Sequence, residues 1–449
     1  MRVPADCFVA MHSSRRSFLK TSAAAAHGFP AILRAANPNS NLQIVAVGCA
    51  GKGLSDLTEI GSHARAKYVG FCDVDTARFA KADETFPGVA HFQDFRAMFA
   101  KLGDGFDAVS VSTPDHMHAF IALDAMRRGK HVYCQKPLTH TVWEARQMRL
   151  AAAKSGVATQ MGNQIHSASE YRTAVRLIRE GAIGKVVAVH SWLGNAGNAH
   201  TKLTAPPASG PVPASVNWDW WLGVAPEREY APEVYHPFKW RDWQDFGNGS
   251  LGDFGCHIFD PVFTALRLTA PLTVRAENEG LNAHTWPAAE TVSFVFPGTA
   301  FTAGAKLPIT WYDGGRRPDV ALAKMPADGK LPGAGSLFIG EGGTMILPHV
   351  GMPQLHPQEK FADFKMEKVE KGNHYHTWVD AALGGVKTTA GFDYAGPLTE
   401  AVLLGNVATR LPNATLEWDA PGMRIPNHAA ADLLLTKPYR KGWEIAAVA

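Results

Sequence analysis

The sequence predicts an α/β protein of two domains, a doubly wound parallel sheet near the N-terminus followed by a larger α/β domain. Three observations predict it. The 449 residues exceed one ordinary domain and suit two. Between residues 41 and 160 short apolar strands alternate with helical stretches, the pattern of a parallel sheet wound on both faces. Most of the twelve tryptophans then fall between Trp192 and Trp311, a skew that marks a second architecture and hints at a carbohydrate site. With 46% apolar residues, sizeable cores can be buried. A net charge of +3 without blocks of like charge gives no case for nucleic acid. No apolar run reaches the roughly 18 residues of a membrane span, so no membrane insertion of the mature chain is expected.

Residues 1–40 read as an address and a linker. Ser14-Arg15-Arg16-Ser17-Phe18-Leu19-Lys20 is a twin-arginine signature, followed by the small residues Thr21–Ala26, then His27 and Pro30. So mildly apolar a stretch suits the twin-arginine route better than general secretion. The expected partner is that export machinery, and the expected location is periplasmic or otherwise exported. Ala35-Ala36 suits the end of a cleavage site, whereas Leu33 and Arg34 fit poorly further back. The route carries folded proteins, which suits a chain loaded with a cofactor before export. The five cysteines form no C-x-x-C pair, so the mature protein is expected to keep free thiols.

The 41–160 region is expected to bind a dinucleotide. Leu42–Val47 is a buried strand running into Gly48-Cys49-Ala50-Gly51-Lys52-Gly53, with a helix expected from Leu54. Gly48 permits the tight turn, Gly53 close packing of helix on strand, and the helix N-terminus faces the phosphates. Ala50 replaces the usual middle glycine and weakens the motif. The next strand, Ala66–Cys72, ends at Asp73, where a carboxylate reads the ribose hydroxyls and repels a 2′-phosphate, favouring NAD over NADP. Strands are expected again at Phe106–Ser112 and His131–Cys134, and helices at Ala119–Arg128 and Val142–Ser155, the last closed by Gly156. Cys49, Asp73, Thr113 and Lys136 then all stand at strand carboxyl ends, the ligand-binding edge of such a sheet.

Taken in order, these pieces resemble the Gfo/Idh/MocA oxidoreductases, and specifically their twin-arginine-exported branch. The matching stretches are Gly48–Gly53, Cys72–Asp75, Ser112–His118, Gln135–Leu138, Trp218–Gly223, Asp245–His257, Phe392–Glu400 and Tyr439–Trp443, covering about residues 41–445. The resemblance implies a Rossmann domain over 41–160. It also implies a substrate-binding domain over 161–449 with an open mixed sheet, through which the chain is expected to form a homo-oligomer. It assigns Gly48, Ala50, Gly51, Gly53, Asp73, Thr113, Pro114, His118, Gln135 and Lys136 to the cofactor, and Lys136, Asp253 and His257 to catalysis. One departure matters: the family's glutamate before the lysine is Gln135, so a role needing ionisation there is lost.

Hydride transfer from a secondary alcohol needs a base for the hydroxyl proton and a donor on the oxygen. Asp253 and His257, four apart on one helix face, supply an imidazole base and a carboxylate expected to orient it. Lys136 is expected to hold the hydroxyl beside the nicotinamide, aimed by the extended or cis geometry that Pro137 favours. The expected substrate contacts are Lys136, Asn163, Gln164 and His257, with a surface-loop role equally open for Asn163, Gln164 and His166. Trp218, Trp220, Trp221, Trp240 and Trp243 can stack on sugar rings or build core. His374 and His376 are near enough to a helix start to enter the pocket. Pro261 leaves open whether the Asp253 helix kinks or ends. No compact His/Cys/carboxylate set suggests a metal. The leading expectation is an NAD-dependent oxidoreductase acting on a sugar, glycoside or polyol hydroxyl, with the cofactor tightly held. The alternative is an NAD-using glycoside hydrolase or lyase with no net redox.

Overall fold

The computed structural model describes residues 40–194 and 207–448. The twin-arginine signature, the cleavage candidates and Cys7 lie outside the described residues. In the first half, strands β1 (Leu42–Val47), β2 (Ala66–Cys72), β3 (Ala90–Phe92), β4 (Ala108–Val111), β5 (His131–Gln135) and β6 (Thr159–Gly162) form one sheet. Their order is β3-β2-β1-β4-β5-β6, every pairing parallel. β1 and β4 are buried almost throughout, which is why they read as continuous apolar runs. The connecting helices are α1 (Lys52–Gly61), α2 (Ala80–Thr85), α3 (Phe95–Leu102), α4 (Asp115–Arg127) and α5 (Val142–Ser155).

Helix signals explain the boundaries. A capping box between Thr141 and Glu144 starts α5, and Gly156 ends it in the left-handed region at φ 67°. Two helices start earlier than expected. α1 begins at Lys52, not Leu54, and α4 at Asp115, not Ala119. Pro114 precedes α4, and Asp115 puts a carboxylate in its first turn, where the helix dipole favours it.

The second half is an eight-stranded sheet in the order β13-β12-β11-β7-β10-β9-β8-β14. Its strands are β7 (Val186–Leu193), β8 (Thr273–Glu279), β9 (Ala289–Pro297), β10 (Lys306–Tyr312), β11 (Ala334–Gly340), β12 (Gly343–Pro348), β13 (Gln354–His356) and β14 (Thr415–Glu417). β7 and β10 pair in parallel and the other neighbours antiparallel, so the sheet is open and mixed. Its helices are α6 (Ser169–Arg179), α7 (Trp218–Leu222), α8 (Gly249–Leu266), α9 (His374–Ala382), α10 (Phe392–Thr409) and α11 (Ala429–Leu433).

α8 carries Asp253 and His257 and continues through Pro261 without ending. Phe259 and Phe263 of α8 sit edge-on to Phe294, Trp311 and Phe296 of the sheet, with ring centroids 5.5–5.9 Å apart. α10 packs beside α8 and reaches back to α5, where Arg146 makes a bidentate pair with Glu400 at 2.7 and 2.8 Å. Residues 41–449 form one compact unit, so the two sheets share their packing. No helix among the described residues is long and apolar enough to cross a membrane.

Candidate active site

β1 delivers the chain into a turn at Gly48, whose φ is +92°. A Cβ there would overlap the Ser112 carbonyl, so β4 and the turn touch backbone to backbone. A Cβ on Gly53 would overlap the Gly48 carbonyl; that glycine works by packing α1 onto the turn and does not itself line the cleft. The N-terminus of α1 has no side-chain cap and no acidic residue in its first turn, so its positive dipole end is unopposed, although Gly53 N–H is taken by the Ala50 carbonyl at 3.0 Å. The adjoining cleft is about 670 Å³, walled by Gly48, Ala50, Gly51, Asp73, Thr113 and Pro114 at the strand carboxyl ends. A bare-glycine turn, an open helix N-terminus and a strand-end carboxylate are the set a dinucleotide needs, and these residues fit NAD.

Asp73 is already engaged by its own chain. One oxygen accepts from Cys49 N–H at 2.9 Å and the other from Asp75 N–H at 3.0 Å, while burial pushes its pKa up. Each oxygen keeps a second lone pair for a ribose hydroxyl. Asp75 behind it resists burial through hydrogen bonds from His236 and Arg78, which hold it at about 2. His236 belongs to the second half of the chain and lines the cleft, so that half closes over the cofactor side.

At the far end Lys136 projects from the end of β5. Its Nζ donates to the Asp253 carbonyl at 2.7 Å and to Asp253 Oδ1 at 2.5 Å. Arg241 approaches the same carboxylate at 3.7 Å. Against burial, Lys136 and Arg241 hold Asp253 at about 2. Asp253 therefore serves Lys136 first. The expectation that it chiefly orients His257 is corrected, because its carboxylate is bonded to Lys136 while His257 Nδ1 has no partner among the described residues. Residues four apart on a helix share a face without having to bond, and the stronger cation won the carboxylate.

His257 lies in the cleft wall with 8% exposure. Burial, then Lys136 and His349, push its pKa well below the usual imidazole value, so the ring is neutral. The His349 ring stands 5.6 Å away and its Nδ1 shares a hydrogen bond of 3.0 Å with the Tyr171 hydroxyl. Asp115, also in the wall, accepts from Asn248 at 3.0 Å; burial and the Asp253 charge push it up to about 7. Gln164 and Gln135 line the same cleft.

Several expected residues are elsewhere. His118 is fully buried behind the wall, its ring between the carbonyls of Pro137 and Thr113 at 2.9 Å each, so it braces two strand ends and does not face a cofactor. Asn163 is also fully buried and donates to the Cys256 carbonyl at 3.0 Å, beneath α8 and outside the cleft wall. His166 pairs with Asp260, His374 with Ser167 and His376 with Ser62, none of them in the cleft wall. Trp220, Trp221 and Trp240 reach the cleft, while Trp243 is core and Trp218 packs against that core, beside Tyr235 and Phe246. Cys49, Cys72, Cys134 and Cys256 are free and buried. Sequence reasoning missed Arg241, His236 and His349. Their distance along the chain gave no signal, although Asp115 stood inside a motif already singled out.

Comparison with known proteins agrees with this geometry. Residues 42–163 match the NAD-binding Rossmann domain of the Gfo/Idh/MocA oxidoreductase family, and residues 187–293 its C-terminal α/β domain. A 1,5-anhydro-D-fructose reductase from Ensifer adhaerens is 42% identical over 82 residues, 18% of this chain and 25% of that protein. A levoglucosan dehydrogenase from Pseudarthrobacter phenanthrenivorans is 27% identical over 153 residues, 34% of this chain and 31% of that protein. The chain thus matches well under half the length of these relatives. The crystal structure of a WlbA dehydrogenase from Chromobacterium violaceum, in complex with NADH and UDP-GlcNAcA, aligns with TM-score 0.61 and 15% identity over 85% of this chain and 97% of that one. With both domain models matched in order across its two sheets, the chain belongs to the Gfo/Idh/MocA family of NAD-binding oxidoreductases.

Proposed function

We propose that this protein oxidises a secondary hydroxyl of a sugar, glycoside or polyol, or runs the reverse reduction, with NAD as the hydride carrier. The observation that carries the reading is one cleft holding the glycine turn, Asp73, Lys136 and His257. Bound NAD supplies the hydride acceptor. Lys136, oriented by its 2.5 Å contact with Asp253, presents N–H to the substrate oxygen. His257, kept neutral by burial, Lys136 and His349, receives the hydroxyl proton. The relatives named for an anhydro-sugar reductase and a levoglucosan dehydrogenase support a carbohydrate substrate.

The test is a screen of free sugars, glycosides and polyols that reads NADH and products together. NADH formed in step with an oxidised sugar supports the reading. Glycoside cleavage without net NADH replaces it with the redox-neutral alternative. On a verified substrate His257→Ala should cut turnover by roughly a hundred- to ten-thousand-fold, the usual worth of general base catalysis. Near-full turnover in both His257→Ala and Lys136→Ala overturns the assignment. Asp73→Ser should narrow the preference for NAD over NADP, and an unchanged affinity ratio counts against Asp73 as ribose reader.

Three further points belong to this reading. The cofactor is tightly held, supported by His236, Trp220 and Trp240 reaching the cleft from the second half; NAD should stay with the protein through gel filtration. The chain is a twin-arginine-exported, periplasmic member of its family, a reading that rests on Arg15, Arg16 and Phe18. Replacing both arginines with lysine should hold it in the cytoplasm, and equal periplasmic amounts refute export. Finally, the protein forms a homo-oligomer through the open sheet, whose β9 and β10 carry Ser293, Pro297 and Pro308 exposed on one face. Light scattering on the purified protein tests this, and a monomer at micromolar concentration rejects it.

A further inference from the structure

Gln135 stands where the family pattern has a carboxylate, and its surroundings bring one from another element. Asp56, in the middle of α1, has no solvent exposure. Its carboxylate accepts from Lys52 Nζ at 2.6 Å, from Ser112 Oγ at 2.8 Å and from Gln135 Nε2 at 2.8 Å. The three donors lie in three separate parts of the cleft wall: the start of α1, the residue after β4 and the last residue of β5. Lys52 is held from the other side by Tyr375 of α9 at 3.0 Å. The Gln135 amide is also caged. Gly162, at the end of β6, lies so close that a Cβ there would overlap Gln135 Nε2. Hydrogen bonds to a carboxylate are about twice as strong as neutral ones, so this single buried anion is well placed to set the geometry of the wall.

We propose that Asp56 is a positioning residue of the active site. Its carboxylate fixes the Gln135 amide, and through it the strand end that carries Lys136, and it holds on α1 the negative charge that the family pattern keeps at position 135. The glutamine is then required by Asp56. A carboxylate at 135 would face a second one at hydrogen-bond distance without water, and one of the two would be driven to keep a proton. The other titratable groups facing this point are Lys52 on α1, Tyr68 on β2, Tyr133 and Cys134 on β5, and Tyr375 on α9. Burial pushes the tyrosines and the thiol up, so they stay neutral, and Lys52 stays charged through Asp56 despite burial. Of the groups at this point only the new carboxyl pair would titrate near neutrality, over the background that Asp115 in the same cleft wall gives the parent and every variant alike.

The test uses the full-length protein, thermal unfolding and NAD affinity between pH 5 and 8, and the variants Gln135→Glu, Gln135→Met and Asp56→Asn/Gln135→Glu. These readouts need no substrate or turnover, so they stand or fall apart from the proposed reaction. At pH 5 the Gln135→Glu carboxyl should be protonated and donate to Asp56 as the amide does, leaving NAD affinity near the parent's. At pH 8 both carboxyls should be charged, and affinity should drop by about tenfold or more with a lower melting temperature, since one pKa unit corresponds to a factor of ten. The double variant, with the charge moved back to position 135, should lose this pH dependence and recover most of the affinity at pH 8. Gln135→Met should show a loss that does not change with pH. A Gln135→Glu protein with the parent's pH dependence in both readouts overturns the proposal. So does a double variant that is no better than Gln135→Glu at pH 8, or that folds at neither pH.

Discussion

Asp115 and His257 share one cleft wall, and burial drives both toward neutrality from opposite directions. For Asp115 the consequence for stability follows from linkage. Its folded pKa of about 7 lies above the ordinary carboxylate value, so the folded state holds a proton that the unfolded state has released. Stability is therefore lost as pH rises from about 4 to 7 and stays reduced above that. Asp115→Asn keeps an oxygen for Asn248 and removes the titration. Its gain over the parent in urea unfolding should be larger at pH 8 than at pH 5, by about 2–3 kcal/mol. An equal effect at both values would show that Asp115 is ionised throughout. His257 behaves in the opposite sense. With its pKa depressed it should remain neutral well below pH 6, visible as an unshifted ring signal in an NMR titration, and Lys136→Met should bring its titration back toward the ordinary value.

α8 presents Asp253 and His257 to the cleft and Phe259 and Phe263 to the sheet, so the helix that supplies chemistry is fixed by the residues that follow it. Phe259→Ala should cost about 3–5 kcal/mol in unfolding, the range for emptying a buried aromatic site, and should lower turnover without touching substrate. Unchanged turnover on a verified substrate would mean that α8 is held without this anchor. A second link runs from α10 to α5 through Glu400 and Arg146, nearly buried with side-chain exposures of 7% and 13%. Glu400→Ala leaves a guanidinium without its partner and should cost about 3–5 kcal/mol, whereas the double variant Arg146→Met/Glu400→Leu should cost far less. Chemical denaturation of both variants distinguishes a strong pair from one that merely must not be broken.

The dinucleotide-binding sheet does not end at its own boundary. Its edge strand β6 is tied to the distant chain by Met161 N–H to the Ala390 carbonyl at 2.9 Å and Phe392 N–H to Thr159 Oγ1 at 3.0 Å. α10 covers the same side. A fragment of residues 41–163 would expose that edge and the apolar face of α5, both of which favour association. It should be aggregated or lack a cooperative melt, while the chain from residue 41 to 449 should unfold as one unit. A soluble fragment that binds NAD with the parent's affinity would show that the first half is independent.

Much of the fold was legible in the sequence because it is written in local patterns. β1 and β2 have the bounds that their apolar runs suggest, α5 lies between its capping box and Gly156, and the glycine turn sits between β1 and α1. Lys136, Asp253 and His257 could be named because the motifs around them resemble the family's, and a strand end and a helical spacing agree with that assignment. What they bond to could not. Asp253 turns to Lys136, Asn163 and His118 sink behind the wall, and Asp56 meets Gln135 from 79 residues away. Periodicity reports which face of an element is apolar. It carries no record of which distant polar group reaches a buried carboxylate first, and that competition is decided only when the two halves close on each other.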